Sequence, residues 1–363
     1  MTALAENDSL LALVREDLRQ FGGYSSARKE ASGGAIWLNA NECPWEVAGD
    51  RLQLNRYPQP QPQRLVDRLA KLYGAPADGL LVGRGSDELI DLLVRALCQA
   101  GRDRILISSP TFGMYAVSAR VQGAAVTDVP LLAEQGFSLD VDGLLAAQDA
   151  TTKLVFVCNP NNPTGTAVPL ASLTRLAEAV QGRAILVVDE AYAEFSAQRS
   201  VIALCKQFPH LAVLRTLSKA YGLAGARVGA LIADPRLIGV LRAIMAPYPL
   251  PTPSVEAALA GLDSKAVALA NSRINLIREE RRRLAERLAA LPEVLQVWPS
   301  DANFLLLRCR DSGALYQRAQ AAGIVLRVPT KHPALDNCIR VSVGRPDEND
   351  ALLAALASAG AFA

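Results

Sequence analysis

Three runs decide the reading of this chain: TKLVFVCNPNNPTG at 152–165, AILVVDEAY at 184–192 and LAVLRTLSK at 211–219. Each carries an unbroken apolar stretch and ends in polar residues. A strand with one wet face alternates apolar and polar side chains. A continuous apolar run instead belongs to a strand covered on both faces, the habit of parallel sheets. Working outward, the alternation continues. Helix 64–74 leads to strand 80–85, helix 86–101, strand 104–110, a helix-like segment over 112–123, strand 124–130 and a turn region. Helices are expected near 169–181 and 198–208 between the three runs, and VGALIA at 228–233 adds a strand after them. The pattern predicts an α/β fold whose mainly parallel central sheet is sandwiched by helices. In such sheets ligands bind outside the carboxyl ends of the strands, so the residues after each run are the ones to inspect.

The flanks are less regular. DSLLALVREDLRQ at 8–20 reads as a short amphipathic helix capped by Asp8 or Ser9, and NRYPQPQPQ at 55–63 as extended chain. The prolines of PYPLPTPS at 247–254 break the pattern before a long helix through 272–291. FLLLRC at 304–309, ALYQRAQAAG at 314–323, IVLRV at 324–328 and CIRVSVG at 338–344 then give strand–helix–strand character. These breaks predict an N-terminal arm with part of a small domain over 1–45, a large domain over 46–264 and a smaller α/β domain over 265–363.

Composition narrows the function. A formal net charge of +2 supplies neither a basic field for nucleic acid nor an acidic tail. Six cysteines without a CxxC pair, and only His210 and His332, argue against a zinc cluster, so no metal is expected. The opening MTALAENDSL lacks the pattern of a signal peptide, and no apolar run spans a bilayer; the expected location is the cytoplasm. Neither GxGxxG nor GxxxxGK[ST] follows a strand, which argues against a nucleotide-binding enzyme.

The strand ends carry a coherent set of residues. Gly85, Ser86 and Asp87 stand where a strand passes into a helix, a place for a phosphate on free backbone N–H groups or for an ordinary cap by Ser86. Asp189 closes an apolar run, where a carboxylate is costly without a cation; a protonated pyridine nitrogen fits, and so would a metal or a helix end. Lys219 is one of seven lysines against 31 arginines and sits among small and apolar neighbours. Burial near cations would favour its neutral amine and imine formation with an aldehyde; a solvated face is the alternative. Thr216, Ser218 and Arg227 bring hydroxyls and a guanidinium suited to phosphate. NPNNPTG has the composition of a plain turn, but it follows a buried strand. Asn162 and Tyr192 can each donate to a phenolate oxygen, and Phe112 can lie flat on an aromatic ring.

Taken in order, GSDE, PTFGMY, NPNNPTG, DEAYAEF, TLSKAYGLAGARVG and IRVSVG resemble the fold-type I aminotransferases over about residues 24–349. The resemblance implies pyridoxal 5′-phosphate held as a Schiff base on Lys219, with Asp189 on the pyridine nitrogen. Asn162 and Tyr192 would contact the ring hydroxyl, and Phe112 would stack on the ring. The phosphate would lie on residues 85–87, Thr216, Ser218 and Arg227. Tyr57 resembles the tyrosine that reaches the neighbouring subunit's phosphate, implying a homodimer. YSSAR at 24–28, LNANECP at 38–44, NRYP at 55–58, SDANF at 300–304, and Arg327 with Arg340 are similar to the histidinol-phosphate aminotransferases. That likeness implies ping-pong transamination between L-histidinol phosphate and 2-oxoglutarate. Arg327 and Arg340 would hold the anionic end of the substrate, and Tyr24 would close over it. Without the resemblance, both arginines read as surface or interdomain pairs. Cys43, Trp45 and the proline-rich 247–254 depart from the usual pattern near the substrate mouth. An aromatic aminotransferase or a threonine-phosphate decarboxylase shares most of these motifs. A regulator with an aminotransferase-like domain would need a DNA-binding module, and no basic helix-turn-helix is visible.

Overall fold

A computed structural model describes residues 9–27, 36–329 and 332–357. Seven strands form the main sheet: β1 (Leu80–Gly83), β2 (Arg104–Ile107), β3 (Ala125–Asp128), β4 (Thr152–Cys158), β5 (Ile185–Asp189), β6 (Leu211–Thr216) and β7 (Gly229–Ile232). Their order is β1-β7-β6-β5-β4-β2-β3, and only β7 runs against its neighbours. The three decisive runs are therefore the adjacent middle strands β4, β5 and β6, and their carboxyl ends meet. Nearly every residue in them is buried, which is why their sequence is continuous and not alternating.

Helices cover both faces. On one side lie α1 (Gln63–Tyr73), α2 (Gly85–Leu97) follows β1 onto the other, and α3 (Met114–Gln122), α4 (Val141–Ala147), α5 (Leu170–Val180), α6 (Pro235–Ile244) and α7 (Thr252–Gly261) complete the layers. α1 turns Leu65, Val66, Leu69 and Ala70 into the core and stops at Gly74, whose φ of 66° a side chain would strain. α6 starts from Asp234, whose carboxylate accepts the Arg236 amide, with Pro235 in the first turn.

The second sheet has three antiparallel strands in the order β10-β9-β8: β8 (Val294–Val297), β9 (Phe304–Cys309) and β10 (Cys338–Ser342). It packs on α8 (Ser264–Ala289), α9 (Ser312–Ala321) and α10 (Pro346–Ala357) around a core of its own that includes Leu284, Leu305 and Leu353. A small cluster of Ala191, Tyr192, Phe195, Ile274, Ala302 and Phe304 joins the two sheets beside the carboxyl end of β5.

Several expected elements differ. The amphipathic helix over 8–20 is two single 3-10 turns, Leu11–Leu13 and Glu16–Leu18; Asp8 lies outside the described residues. Val14 turns extended there so that the Arg15 amide can donate to the Ala96 carbonyl and Leu10, Leu13 and Val14 enter the large core. The helix near 198–208 is a 3-10 segment, Val201–Lys206, started by the Ser200 hydroxyl. The strand expected at IVLRV shrinks to one bridge between Arg327 and Arg340. α4, α7 and β8 were not expected at all. α4 buries only Val141 and Leu144, too little periodicity to stand out.

Candidate active site

One cleft at the carboxyl ends of the middle strands is lined by Gly85, Ser86, Asp87, Phe112, Asn162, Asp189, Tyr192, Thr216, Ser218, Lys219 and Arg227, with Cys158, Ala191 and Ala224. All the residues proposed for the cofactor except Tyr57 thus share one space, though they come from six separate segments.

The floor is built by β1, α2 and the β6–β7 connection. Gly85 opens α2 at φ 77°, and the next amides, of Ser86 and Asp87, have no helical carbonyl to bond. A Cβ on Gly229 would meet the Gly85 carbonyl carbon and the Ser86 nitrogen at 2.5 Å, so glycine there lets the strand approach the helix end. Ser86 does not cap α2: the cap position is Arg84, whose amide donates to Glu88. Arg227, in the left-handed conformation, reaches over Gly85 and pairs with Asp87 at 3.0 Å. That pairing compensates the Asp87 charge beside a prospective phosphate. The Thr216 and Ser218 hydroxyls stand 3.0 Å apart.

Asp189 is 2% exposed at the end of β5. One oxygen accepts from the Tyr115 hydroxyl at 2.8 Å and the other from the Ala191 amide at 3.1 Å. Burial pushes its pKa up to about 6, against the pull of those two donors. Among the described residues no lysine or arginine pairs with it. Lys219 is the third residue after β6, its ammonium position 5.8 Å from the centre of the Tyr192 ring. Burial first, then the Arg340 and Arg227 guanidiniums, hold its amine below the ordinary lysine range, while Asp87 and Asp189 oppose them.

Above the cleft the two sheets meet. The Arg340 guanidinium donates to the Asn162 side-chain carbonyl and lies 5.2 Å over the Phe304 ring. The Asn162 amide in turn donates to the Tyr192 hydroxyl at 3.3 Å. Arg340 Nε has no hydrogen-bond partner among the described residues although it is buried. Arg327 and Arg340 exchange backbone hydrogen bonds, and both border a second hollow with Thr111, Phe112, Asn162, Tyr192 and Lys219. The mouth therefore has two guanidiniums on one rim.

Two expected residues stand apart. Tyr24 is 70% exposed, and Tyr57, 50% exposed, stacks on Tyr248 at 4.4 Å; neither lines the cleft. Arg28 of the YSSAR segment lies outside the described residues. Other residues at the site went unread in the sequence. Tyr115 holds Asp189, and Asn161, itself buried, bonds Pro110, Thr111 and Thr164 to fix the loop before Asn162. On the far face of the strands, Arg215 binds Glu190 and Glu194 at 2.7 Å each, tying β6 to the turn after Tyr192. A charge of each sign inside apolar runs was the available signal for that network.

The comparisons agree with this geometry. A family model described as aminotransferase class I and II matches residues 28–356. The histidinol-phosphate aminotransferase of Xylella fastidiosa (strain Temecula1) is 49% identical over 97% of this chain and 97% of its own length. That of Stenotrophomonas maltophilia is 49% identical over 99% of this chain and all of its own. Among solved structures, histidinol-phosphate aminotransferase from Sinorhizobium meliloti in complex with pyridoxal-5′-phosphate superposes with a TM-score of 0.76. It is 29% identical, over 83% of this chain and 82% of that one. The chain belongs to the class I and II aminotransferases, and within them to the histidinol-phosphate aminotransferases.

Proposed function

We propose that this chain exchanges amino groups between L-histidinol phosphate and 2-oxoglutarate, giving imidazole-acetol phosphate and L-glutamate, with pyridoxal 5′-phosphate as cofactor. The convergence of Lys219, Asp189, Asn162, Tyr192 and Arg227 in one cleft carries the reading. The residues present fit the cofactor. Asp189 is a buried carboxylate with no cation beside it among the described residues, which a ring N–H would supply, and the close approach at Gly85, Ser86 and Gly229 makes a cradle of amides for a phosphate. Thr216, Ser218 and Arg227 would complete that cradle, Asn162 and Tyr192 would face the ring hydroxyl, and Phe112 would cover the ring.

When bound, the cofactor supplies an aldehyde and an electron-poor ring that accepts charge from the substrate's α-carbon. Lys219 does the rest through one nitrogen. Its amine, made easier to deprotonate by burial and by Arg340 and Arg227, is suited to hold the aldehyde. As a free amine it would take the proton from the α-carbon of the amino donor in one half-reaction and supply a proton to the α-carbon of the acceptor in the other. Asp189 keeps a negative charge where the ring nitrogen needs one. Arg327 and Arg340 would receive the phosphate of one substrate and a carboxylate of the other, with Tyr24 closing over them.

The same reading makes the active protein a homodimer in the cytoplasm. Ile36, Leu38, Trp45, Val47 and Leu54, in the same stretch of chain as Tyr57, are exposed apolar side chains that a second copy would cover. Tyr57 would then reach the neighbouring cofactor phosphate. All six cysteines are free thiols, as a reducing compartment keeps them.

The test is a set of half-reactions, each amine added alone to cofactor-loaded protein and followed by absorbance. L-Histidinol phosphate and L-glutamate should each convert the cofactor to its amine form. Phenylalanine and phosphothreonine should do so far more slowly. Conversion by phenylalanine or phosphothreonine in preference to L-histidinol phosphate would refute the assignment of substrate.

A further inference from the structure

Tyr115 is a hydroxyl that the proposed chemistry does not yet use. It sits in the first turn of α3, is wholly buried, and donates to Asp189 from 74 residues away in the chain. Its ring stacks on Phe156 with centres 4.7 Å apart and meets the edge of Phe112 at 5.7 Å. Packed on both sides, the hydroxyl has no path to water, and its direction is fixed by aromatic contacts and not by the hydrogen bond alone. The same side chain therefore touches two groups assigned to the cofactor, Asp189 and Phe112.

We propose that Tyr115 is a positioning residue that holds Asp189 as a carboxylate aimed at the cofactor's ring nitrogen, so that their shared proton rests on the ring. The inference rests on the cofactor reading above. A buried carboxylate and a pyridine nitrogen compete for one proton, and desolvation alone favours the neutral acid. A donated O–H is stronger to a carboxylate than to a neutral carboxyl, so Tyr115 shifts the proton toward the ring. The Ala191 amide acts in the same sense on the other oxygen. Tyr115 keeps its own proton, because burial and the Asp189 charge push its pKa well above the ordinary tyrosine value.

Tyr115→Phe removes this one oxygen and leaves both ring contacts. In cofactor-loaded protein, the apparent pKa of the bound cofactor's absorbance should rise by about half a unit to one unit, because a ring nitrogen that loses its proton no longer opposes protonation at the aldehyde end. The half-reaction with L-histidinol phosphate should slow about tenfold with little change in its half-saturating concentration. In an Asp189→Asn background the same Tyr115→Phe change should leave the absorbance titration where it was. An unshifted titration in the single variant, or an equal shift in the Asn background, overturns the inference while the cofactor reading stands. A Tyr115→Phe chain that no longer folds also overturns it, since the hydroxyl would then act on packing. If the parent protein itself binds no cofactor, the reading and the inference fall together.

Discussion

Asp189→Asn in the cofactor-free protein should stabilise the fold, and by an amount set by pH. The carboxylate is 2% exposed, with donors on both oxygens but no cation among the described residues. Burial, and to a lesser degree the charges of Asp87 and Glu190, lift its pKa from the ordinary 3.8 to about 6, although Tyr115 and Ala191 pull it down. Between those values the folded chain keeps a proton that the unfolded chain has released. Stability is therefore lost as pH rises through this window, and the full cost is present above it. At about 1.4 kcal/mol per pH unit, the cost reaches about 3 kcal/mol. Asparagine carries no charge and keeps both partners: its oxygen can accept from Ala191 while its amide donates to the Tyr115 hydroxyl. Urea unfolding of both cofactor-free proteins at about pH 4, 6 and 8 and at one protein concentration gives the comparison. The variant's advantage should grow from near zero to about 3 kcal/mol across that series. A difference that stays flat with pH, or a parent that is the more stable at the alkaline end, would refute the reasoning. The cost is the physical counterpart of a site that waits for a cation.

Arg340→Gln should lower kcat/KM for L-histidinol phosphate about a hundredfold through loss of a charge-assisted contact, measured by steady-state kinetics. It should also raise the Lys219 pKa, because a cation that opposes its protonation is gone; the acid limb of the pH–rate profile then moves to higher pH. An acid limb that stays in place would separate Arg340 from Lys219. Arg215→Met strands the buried carboxylates of Glu190 and Glu194 and should cost about 3–5 kcal/mol in urea unfolding. A loss under about 1 kcal/mol would show the network to be solvated.

The central strands were legible because burial on both faces writes itself as uninterrupted apolar sequence, and β4, β5 and β6 do so. Their carboxyl ends then pointed to Asn162, Asp189 and Lys219, which the structure gathers in one cleft. What sequence spacing did not reveal is contact across distance. Tyr115 looked like one more aromatic on a helix, and nothing local joins it to Asp189. Arg215 and Glu190 adjoin the site residues Thr216 and Asp189 at their strand ends, so their side chains leave the opposite face, where Glu194 joins them from the turn after Tyr192. The N-terminal stretch misled for a related reason. Leu10, Leu13 and Val14 have helical spacing, but the large core takes them up from two short turns. Tyr24 and Tyr57 lie outside the cleft of a single chain, and their proposed roles depend on closure and on a second copy.

The most direct test of the account is Lys219→Ala in the 363-residue chain, read by absorbance of added pyridoxal 5′-phosphate and by turnover of L-histidinol phosphate with 2-oxoglutarate. The account predicts that the lysine-bound absorbance band disappears and that turnover is lost, while the variant stays folded. A Lys219→Ala protein that retained the band or full activity would contradict it, because no other residue of the cleft can hold the aldehyde and carry the proton.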